Sequence, residues 1–240
     1  MQKQVLTAFF IAAAVLAGVA AKHKEKILVF SKTAGFRHGS IGPGKLAIMA
    51  LGKENGFDVD TTEDASAFTD KNLAQYGAIV FLSTTGNVLD SMQELAMERF
   101  IESGKGFVGI HAATDTEYDW AWYGKLVGAY FLRHPNQQQA TLHVVDSTDI
   151  ATRHLPTTWT RFDEWYNFRN IQPDLHVLIT IDEHSYTGGA NGDFHPMAWK
   201  HAYDGGRAFY TELGHTDESW KDPLYLKHVL GGIKYALGEK

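Results

Sequence analysis

Histidines follow three of the predicted buried strands, within a few residues of the point where each strand ends. His111 comes directly after one strand, and His38 and His215 lie in the segments after two others. Asp115 and Glu164 add carboxylates near the same points. Imidazoles and carboxylates together transfer protons near neutral pH. We therefore predict His111, Asp115, Glu164 and His215 as catalytic groups, although Asp115 also has the position of a helix cap and His38 that of a loop residue bonded to a carbonyl.

The same histidines offer a metal site as a variant of this interpretation. His38, His111, His134 and His215 with a nearby carboxylate would form a nitrogen and oxygen site for zinc or a similar ion. No pair has the compact His-Glu-x-x-His spacing, so the sequence leaves metal binding open.

A second group of residues has the composition of a sugar-binding surface. Aromatic rings stack on the C–H faces of a sugar, while hydroxyls, amides and acids bind its hydroxyl groups. We predict substrate contacts from two histidines, four hydroxyls at strand ends and four rings: His38, His134, Ser31, Thr84, Thr85, Thr114, Trp120, Trp122, Trp165 and Tyr166. The alternative for the rings is that they cover the core beneath a loop.

These residues must be positioned by a sheet whose strands end together. Short apolar strands are predicted at 27–30, 57–59, 78–82 and 107–110, with helices at 44–55 and 90–103 between them. This alternation predicts a doubly wound, mostly parallel α/β sheet, in which ligands bind at the carboxyl ends of the strands.

The second half of the chain has a different pattern. It predicts strands at 140–145 and 176–182, a hairpin that joins 197–202 to 207–211 through Asp204-Gly205-Gly206, and a final helix at 223–237. His134 is predicted to follow a helical segment. An antiparallel hairpin region is therefore added to the parallel sheet within a single domain, residues 22–240.

The composition and the N-terminus limit the class of protein. The net charge of −6 and the scattered basic residues disfavour nucleic acid as a partner. Residues 1–21 have the pattern of a secretory signal peptide cut after Ala21, which predicts a secreted or periplasmic protein without a membrane span after cleavage. The absence of cysteine excludes disulfides, thiolate metal sites and a cysteine nucleophile.

Five segments together resemble the ThuA-like, or trehalose-utilisation, family. They are VFSKTAGFRH at 29–38, GFVGIHAATDTEYD at 106–119, DEWYNF at 163–168, HPMAW at 195–199 and the segment 205–216. The resemblance implies a flavodoxin-like fold similar to class I glutamine amidotransferases. In those enzymes a cysteine occupies the turn where this chain has His111, so the sequence excludes glutamine amidotransferase activity.

The resemblance also implies a role in the catabolism of trehalose-like disaccharides through 3-keto sugars. A base such as His111 or Glu164 would remove the C2 proton of a 3-keto-glycoside, and an acid such as His215 or Asp115 would protonate the departing oxygen. Ser31 or Thr84 would support the oxyanion. The alternative is a non-catalytic sugar-binding subunit that serves a sugar oxidoreductase or another 3-keto-glycoside-processing partner.

Overall fold

The protein is described by a computed structural model in which residues 24–239 are placed. These residues build a nine-stranded mixed sheet with helices on its faces and a separate two-stranded sheet near one edge. The predicted signal peptide lies outside the described residues. Among the residues that are described, no helix is long and apolar enough to cross a membrane.

The elements follow one another in α/β order in the first half of the chain and then become mostly β. The strands are β1 Lys26–Phe30, β2 Asp58–Thr62, β3 Ala78–Leu82, β4 Gly106–Ile110, β5 Tyr130–Arg133, β6 Gln138–Val144, β7 Thr158–Asp163, β8 Asn167–Arg169, β9 His176–Ile181, β10 His195–Tyr203 and β11 Gly206–Thr211. The α-helices are α1 Ile41–Asn55, α2 Asp70–Leu73, α3 Ser91–Glu102, α4 Ala121–Val127 and α5 Pro223–Ala236.

The parallel half of the large sheet has the order β2-β1-β3-β4-β11. The connections from β1 to β2 and from β3 to β4 run in opposite directions across this sheet. Because parallel crossovers are right-handed, their helices lie on opposite faces. Accordingly α1 contacts α5 on one face, and α2 contacts α3 on the other.

The central strands are buried on both faces, which explains their continuous apolar sequences. Every residue of β3 and of β4 is buried. The edge strand β2, with sequence DVDTT, is only partly covered and carries polar residues. A parallel sheet covered by helices on both sides requires this distribution of apolar residues.

The antiparallel half continues the same sheet in the order β11-β10-β9-β6-β7. Each of these pairs is antiparallel, so strand direction alternates and β7 runs in the same direction as β11 and β4. The carboxyl end of β7 therefore lies at the same edge as the ends of the parallel strands. The small sheet, in which β5 pairs with β8, lies beside this edge.

The predicted doubly wound fold with an added antiparallel hairpin region is confirmed. The hairpin turns at Asp204-Gly205, where both residues have positive φ, as the sequence DGG indicates. Asp90 caps α3, and Gly104 lies just past its end with a φ of +87°. Strands β5, β7 and β8 were not predicted. The expectation that His134 follows a helical segment is wrong, because it follows β5.

The cap of α3 provides a test of this local structure. The Asp90 carboxylate accepts hydrogen bonds from the backbone N–H groups of Met92 and Gln93, and the Gln93 side chain accepts one from the Asp90 N–H. Asp90→Ala removes the carboxylate and should lower the free energy of unfolding by about 1 kcal/mol in urea titrations. Glu54→Ala, at an exposed position in α1, is the matched control and should change it little; equal effects would contradict the cap.

Candidate active site

Four side chains from four strand ends meet at the carboxyl edge of the sheet. His38 lies in the loop after β1, His111 follows β4, Glu164 follows β7 and His215 follows β11. One ligand atom from each of the four lies within 4.8 Å of the others. We call these four residues the His/Glu cluster.

His111 is the most constrained member of the cluster. It lies in the sharp turn after β4 with a φ of +51°, a left-handed conformation that a residue with a side chain rarely adopts. Its ring is fully buried, and its Nδ1 donates a hydrogen bond to the carbonyl oxygen of Glu212 at 2.8 Å. That contact directs Nε2 towards the other members of the cluster. Strained backbone of this kind is typical of functional sites.

Three atoms of the cluster form a close triangle. Nε2 of His111 lies 3.0 Å from Nδ1 of His215 and 3.5 Å from Oε2 of Glu164. Nδ1 of His215 lies 3.1 Å from the same carboxylate oxygen. The ring of His38 packs edge-on against both histidine rings, at centroid distances of 4.7 and 5.1 Å.

Asp163 holds the two loops that carry Glu164 and His215. Its buried carboxylate accepts hydrogen bonds from the N–H groups of Glu164, Gly214 and His215 and from the Ser219 hydroxyl, at 3.0 to 3.2 Å. Because these donors come from both loops, Asp163 ties the end of β7 to the segment after β11.

The cluster borders an open cavity of about 380 Å³. Its described lining residues are two acids, three histidines, one amide and three aromatic rings: Asp115, Glu164, His38, His134, His215, Gln137, Phe36, Phe131 and Tyr166. None of these lining residues is Lys or Arg. The cavity thus combines proton-transfer groups with apolar surface, and its volume is that of a small-molecule site.

The buried groups of the cluster have shifted pKa values. Burial opposes protonation of His111, but the carboxylates of Glu164 and Glu212 outweigh burial and raise the pKa of His111 to about 10. Burial likewise opposes ionisation of Glu164, yet His111 and His215 hold the pKa of Glu164 well below its ordinary value. Burial and the neighbouring histidines lower the pKa of His38 to about 3. The surroundings of the cluster therefore favour a positive charge on His111 and a negative charge on Glu164, and they disfavour a proton on His38.

Asp115 has a different environment at the wall of the cavity. It accepts a hydrogen bond of 2.5 Å from the Tyr118 hydroxyl. Burial nevertheless raises the pKa of Asp115 above that of an ordinary aspartate, with the Tyr118 bond opposing the rise. A carboxylate with a raised pKa is a stronger base, which suits it to proton abstraction.

His134 reaches the cluster from β5. Its Nδ1 lies 2.9 Å from the Pro135 carbonyl oxygen and 3.3 Å from Oε1 of Glu164. These contacts occupy Nδ1, so Nε2 is the ring atom that faces no described hydrogen-bond partner. His134 is partly exposed and lines the cavity, in agreement with a contact to a ligand.

Three of the predicted hydroxyl residues are hydrogen-bonded inside the protein, and the Ser31 hydroxyl is buried without a hydrogen-bond partner among the described residues. Thr84 bonds Thr116, Thr85 donates to the Phe36 carbonyl, Thr114 bonds Tyr210, and Ser31 is fully buried. The structure does not place any of these four among the described lining residues of the cavity. The contacts of the three threonines stabilise the loops that carry His38 and His111.

The predicted rings divide into two groups. Tyr166 lines the cavity, and its ring lies 4.5 Å from that of His111. Trp165 is fully buried and donates to the Gln138 carbonyl. Trp120 and Trp122 stack on each other and donate to Glu98 and Asp204, so they pack on α3 and the hairpin instead of facing the cavity.

The structure adds residues that the sequence did not single out. Phe36, Phe131 and Gln137 line the cavity, while Asp163 and Glu212 lie buried behind the cluster. Phe36 gave no distinct signal, since single exposed apolar residues in loops are common. Glu212 directly follows β11, so its position at a strand end was visible.

A match to the model of a protein family identifies the family of this chain. The profile of the ThuA family, described as trehalose utilisation, matches residues 26–236. The chain belongs to the ThuA family. The ThuA match covers every member of the His/Glu cluster and every described strand, and it connects the protein with sugar metabolism. No curated protein matches the sequence.

Solved structures agree with this ThuA fold. A ThuA-like protein from Bacteroides uniformis is 23% identical, with a TM-score of 0.76 over 91% of this chain and 95% of that chain. One from Parabacteroides merdae is 18% identical, with a TM-score of 0.74 over 90% and 91%. A β-galactosidase from Bacillus circulans is 13% identical, with a TM-score of 0.58 over 90% of this chain and 31% of that chain. At these identities the likeness concerns the fold alone.

Replacing Asp163 tests whether its carboxylate holds the site together. Asp163→Asn puts an NH₂ group against N–H and O–H donors, so it should lower the free energy of unfolding by about 2 kcal/mol in urea titrations. Asp217→Asn, at an exposed position in the same loop, should change it by less than about 0.5 kcal/mol. Equal stability of the two variants would show that Asp163 does not have this role.

Proposed function

We propose that this ThuA-family chain is an enzyme that removes the proton beside the carbonyl group of a 3-keto-glycoside and then eliminates the glycosidic oxygen. A single observation carries the proposal: Asp115, His134 and three members of the His/Glu cluster line one cavity, with the buried His111 directly behind them, so a base, an acid and a charged cluster can act on the same ligand. The family's connection with sugar metabolism supports the substrate class.

The first step is proton abstraction from C2 by the Asp115 carboxylate. The C–H electron pair forms the C2–C3 double bond, and the carbonyl electrons move onto O3. The carbonyl group makes this proton acidic only if the charge on O3 is stabilised. The His/Glu cluster supplies that stabilisation electrostatically, through the positive charge that the Glu164 and Glu212 carboxylates favour on the buried His111 ring by raising its pKa.

The second step is loss of the group at C1. The electrons on O3 re-form the carbonyl, the C2–C3 pair becomes the C1–C2 double bond, and the C1–O bond breaks. His134 enters this step as the imidazolium, donates its Nε2 proton to the departing oxygen, which leaves as an alcohol, and keeps the Nδ1 proton that faces the Pro135 carbonyl. The products are this alcohol and an unsaturated 3-keto sugar, and solvent exchange returns Asp115 and His134 to their starting protonation states.

His111 and Glu164 are less suited to the role of base than Asp115. His111 is fully buried, with Nδ1 bonded to Glu212 and Nε2 directed at His215. Glu164 is paired with His111 and His215, so its carboxylate is weakly basic. In this proposal, His111 and Glu164 therefore influence the charge that develops on O3 and do not themselves take up the C2 proton.

Aromatic side chains at the cavity support a sugar ligand. Phe36 is 66% exposed at the mouth, and Phe131 packs on Tyr166 with ring centroids 4.3 Å apart. Exposed rings beside acids and histidines bind the C–H face of a sugar while its hydroxyls meet the polar groups. The proposal includes export to the periplasm or beyond, on the strength of the N-terminal signal pattern, and a sugar oxidoreductase that forms the 3-keto group.

Replacing Asp115 tests the proposed base directly. Wild type should exchange the C2 proton of a 3-keto-glucoside for deuterium in D₂O, and Asp115→Asn should slow this exchange by roughly 100-fold or more, as followed by NMR. Asp119→Asn is the matched control, because that exposed carboxylate accepts a bond from Asn87 outside the cavity lining. Binding without exchange in wild type would favour the sugar-binding subunit instead.

Phe36 tests the proposed sugar contact. Loss of one stacking ring removes about 1 kcal/mol of binding, so Phe36→Ala should raise KM for the keto-glycoside roughly fivefold while kcat stays near wild type. Phe194→Ala removes a ring that is 60% exposed but outside the cavity lining, and should leave KM unchanged. A normal KM in Phe36→Ala would remove this ring from the binding site.

A further inference from the structure

We infer that the His/Glu cluster binds one divalent transition-metal ion, with zinc as the first candidate, through His38, His111, Glu164 and His215. Four side chains with three nitrogen donors and one oxygen donor match the preferences of zinc and similar ions in a protein without cysteine. The role of the ion in catalysis rests on the proposed function, whereas its binding is measured separately.

The separations within the cluster fit a common central ion. Ligand atoms about 2.0–2.2 Å from zinc lie about 3.0–3.5 Å from one another when they occupy neighbouring coordination positions. The three sides of the triangle formed by His111 Nε2, His215 Nδ1 and Glu164 Oε2 are 3.0, 3.1 and 3.5 Å. The triangle therefore has the dimensions of one face of a metal site.

His38 provides an independent indication. Its side chain is only 5% exposed, and Nδ1 is buried without a hydrogen-bond partner among the described residues. A buried polar atom without a partner is costly. The His38 ring also contributes one nitrogen to the cluster. An ion at the centre of the cluster would give this ring a bonding partner, which no described hydrogen bond supplies.

The charge around the cluster favours a cation. Carboxyl groups of Asp115 and Glu164 line the cavity, Asp163 and Glu212 are fully buried behind it, and no Lys or Arg is among the described lining residues. Buried carboxylates need positive charge nearby. Protons on the histidines supply it in part, and a divalent ion would supply it more completely.

Two contacts to the second ring nitrogens of His111 and His215 would hold these rings in the orientation that metal binding needs. The Glu212 carbonyl accepts the Nδ1 proton of His111, which leaves Nε2 as an electron-pair donor. The Gln137 amide lies 2.7 Å from Nε2 of His215. With metal on Nδ1 of His215, Nε2 carries the ring proton, and the Gln137 amide turns so that its oxygen accepts that proton. Gln137 is therefore a positioning residue for the ion.

An ion here would replace the His111 proton as the positive charge beside O3 of the proposed substrate. The remaining acid and base, His134 and Asp115, are not members of the cluster. The proton-transfer roles and the metal site are thus carried by different side chains.

Metal content and affinity test the inference on the purified protein. The purified protein is stripped with a chelator, reloaded with Zn²⁺, and measured by mass spectrometry of the metal and by calorimetry. We expect one Zn²⁺ per chain. Glu164→Gln and His215→Ala should weaken binding more than roughly 100-fold, and Gln137→Ala by roughly 10–100-fold, as loss of outer-shell support does. Cobalt substitution adds a visible spectrum that reports nitrogen and oxygen coordination.

Two controls keep failure to fold apart from loss of a ligand. His184→Ala removes a histidine whose side chain is 88% exposed, and it should bind Zn²⁺ like wild type. Gln137 is exposed, so Gln137→Ala should keep the wild-type circular dichroism and thermal midpoint while losing affinity. Less than a tenth of an equivalent in reloaded wild type, or wild-type affinity in folded Glu164→Gln and Gln137→Ala, would overturn the inference.

The outcomes separate this inference from the proposed function. Zinc bound at the cluster without deuterium exchange at C2 would uphold the metal site and contradict the proposed reaction. Undiminished exchange in fully chelated protein, with no zinc uptake, would uphold the reaction and show that protonated histidine is the only positive charge of the cluster.

Discussion

The candidate site depends on the hydrogen bonds that the Asp163 carboxylate accepts from two loops. Glu164 comes from β7 at the far edge of the sheet, whereas His215 comes from β11 at its centre. Asp163 brings them together because its fully buried carboxylate accepts hydrogen bonds from N–H groups of both loops. Charged acceptors form strong hydrogen bonds in such surroundings, so the loops have little freedom to separate.

The second constraint on the site is the balance between its carboxylates and its histidines, which the fold brings to the same edge of the sheet. The cavity at this edge of the sheet is lined by acids together with histidines, and none of its described lining residues is lysine or arginine. Histidine can gain a proton, lose it or exchange it for a metal ion, whereas arginine remains charged. A site that stabilises developing negative charge gains from this choice.

Much of the fold followed from the sequence because burial on both faces leaves a strong signal. The continuous apolar residues of β3 and the capping pattern at Asp90 predicted their elements closely. Strand β7 was missed because two of its buried positions hold Arg161 and Asp163 while the apolar Phe162 is exposed, so the sequence TWTRFD does not alternate apolar and polar residues. Its direction, which places Glu164 at the site, depends on pairings that no local pattern records.

Site residues that lie at strand ends could be predicted from the sequence. Residues whose orientation depends on tertiary packing could not. His111 and His215 follow from the rule that ligands meet the carboxyl ends of strands. Trp120 and Trp122 have the composition of sugar-binding rings, yet α4 directs them towards α3 and the hairpin. Sequence gives the chemical type of a ring, but the tertiary structure decides which surface it covers.

The most direct measurement is a crystal structure of the protein with a 3-keto-glucoside bound. We expect the sugar in the cavity with C2 about 3–3.5 Å from the Asp115 carboxylate, O3 at the His/Glu cluster and the glycosidic oxygen beside His134. A sugar bound elsewhere, or bound with C2 turned away from Asp115, would contradict the proposed chemistry.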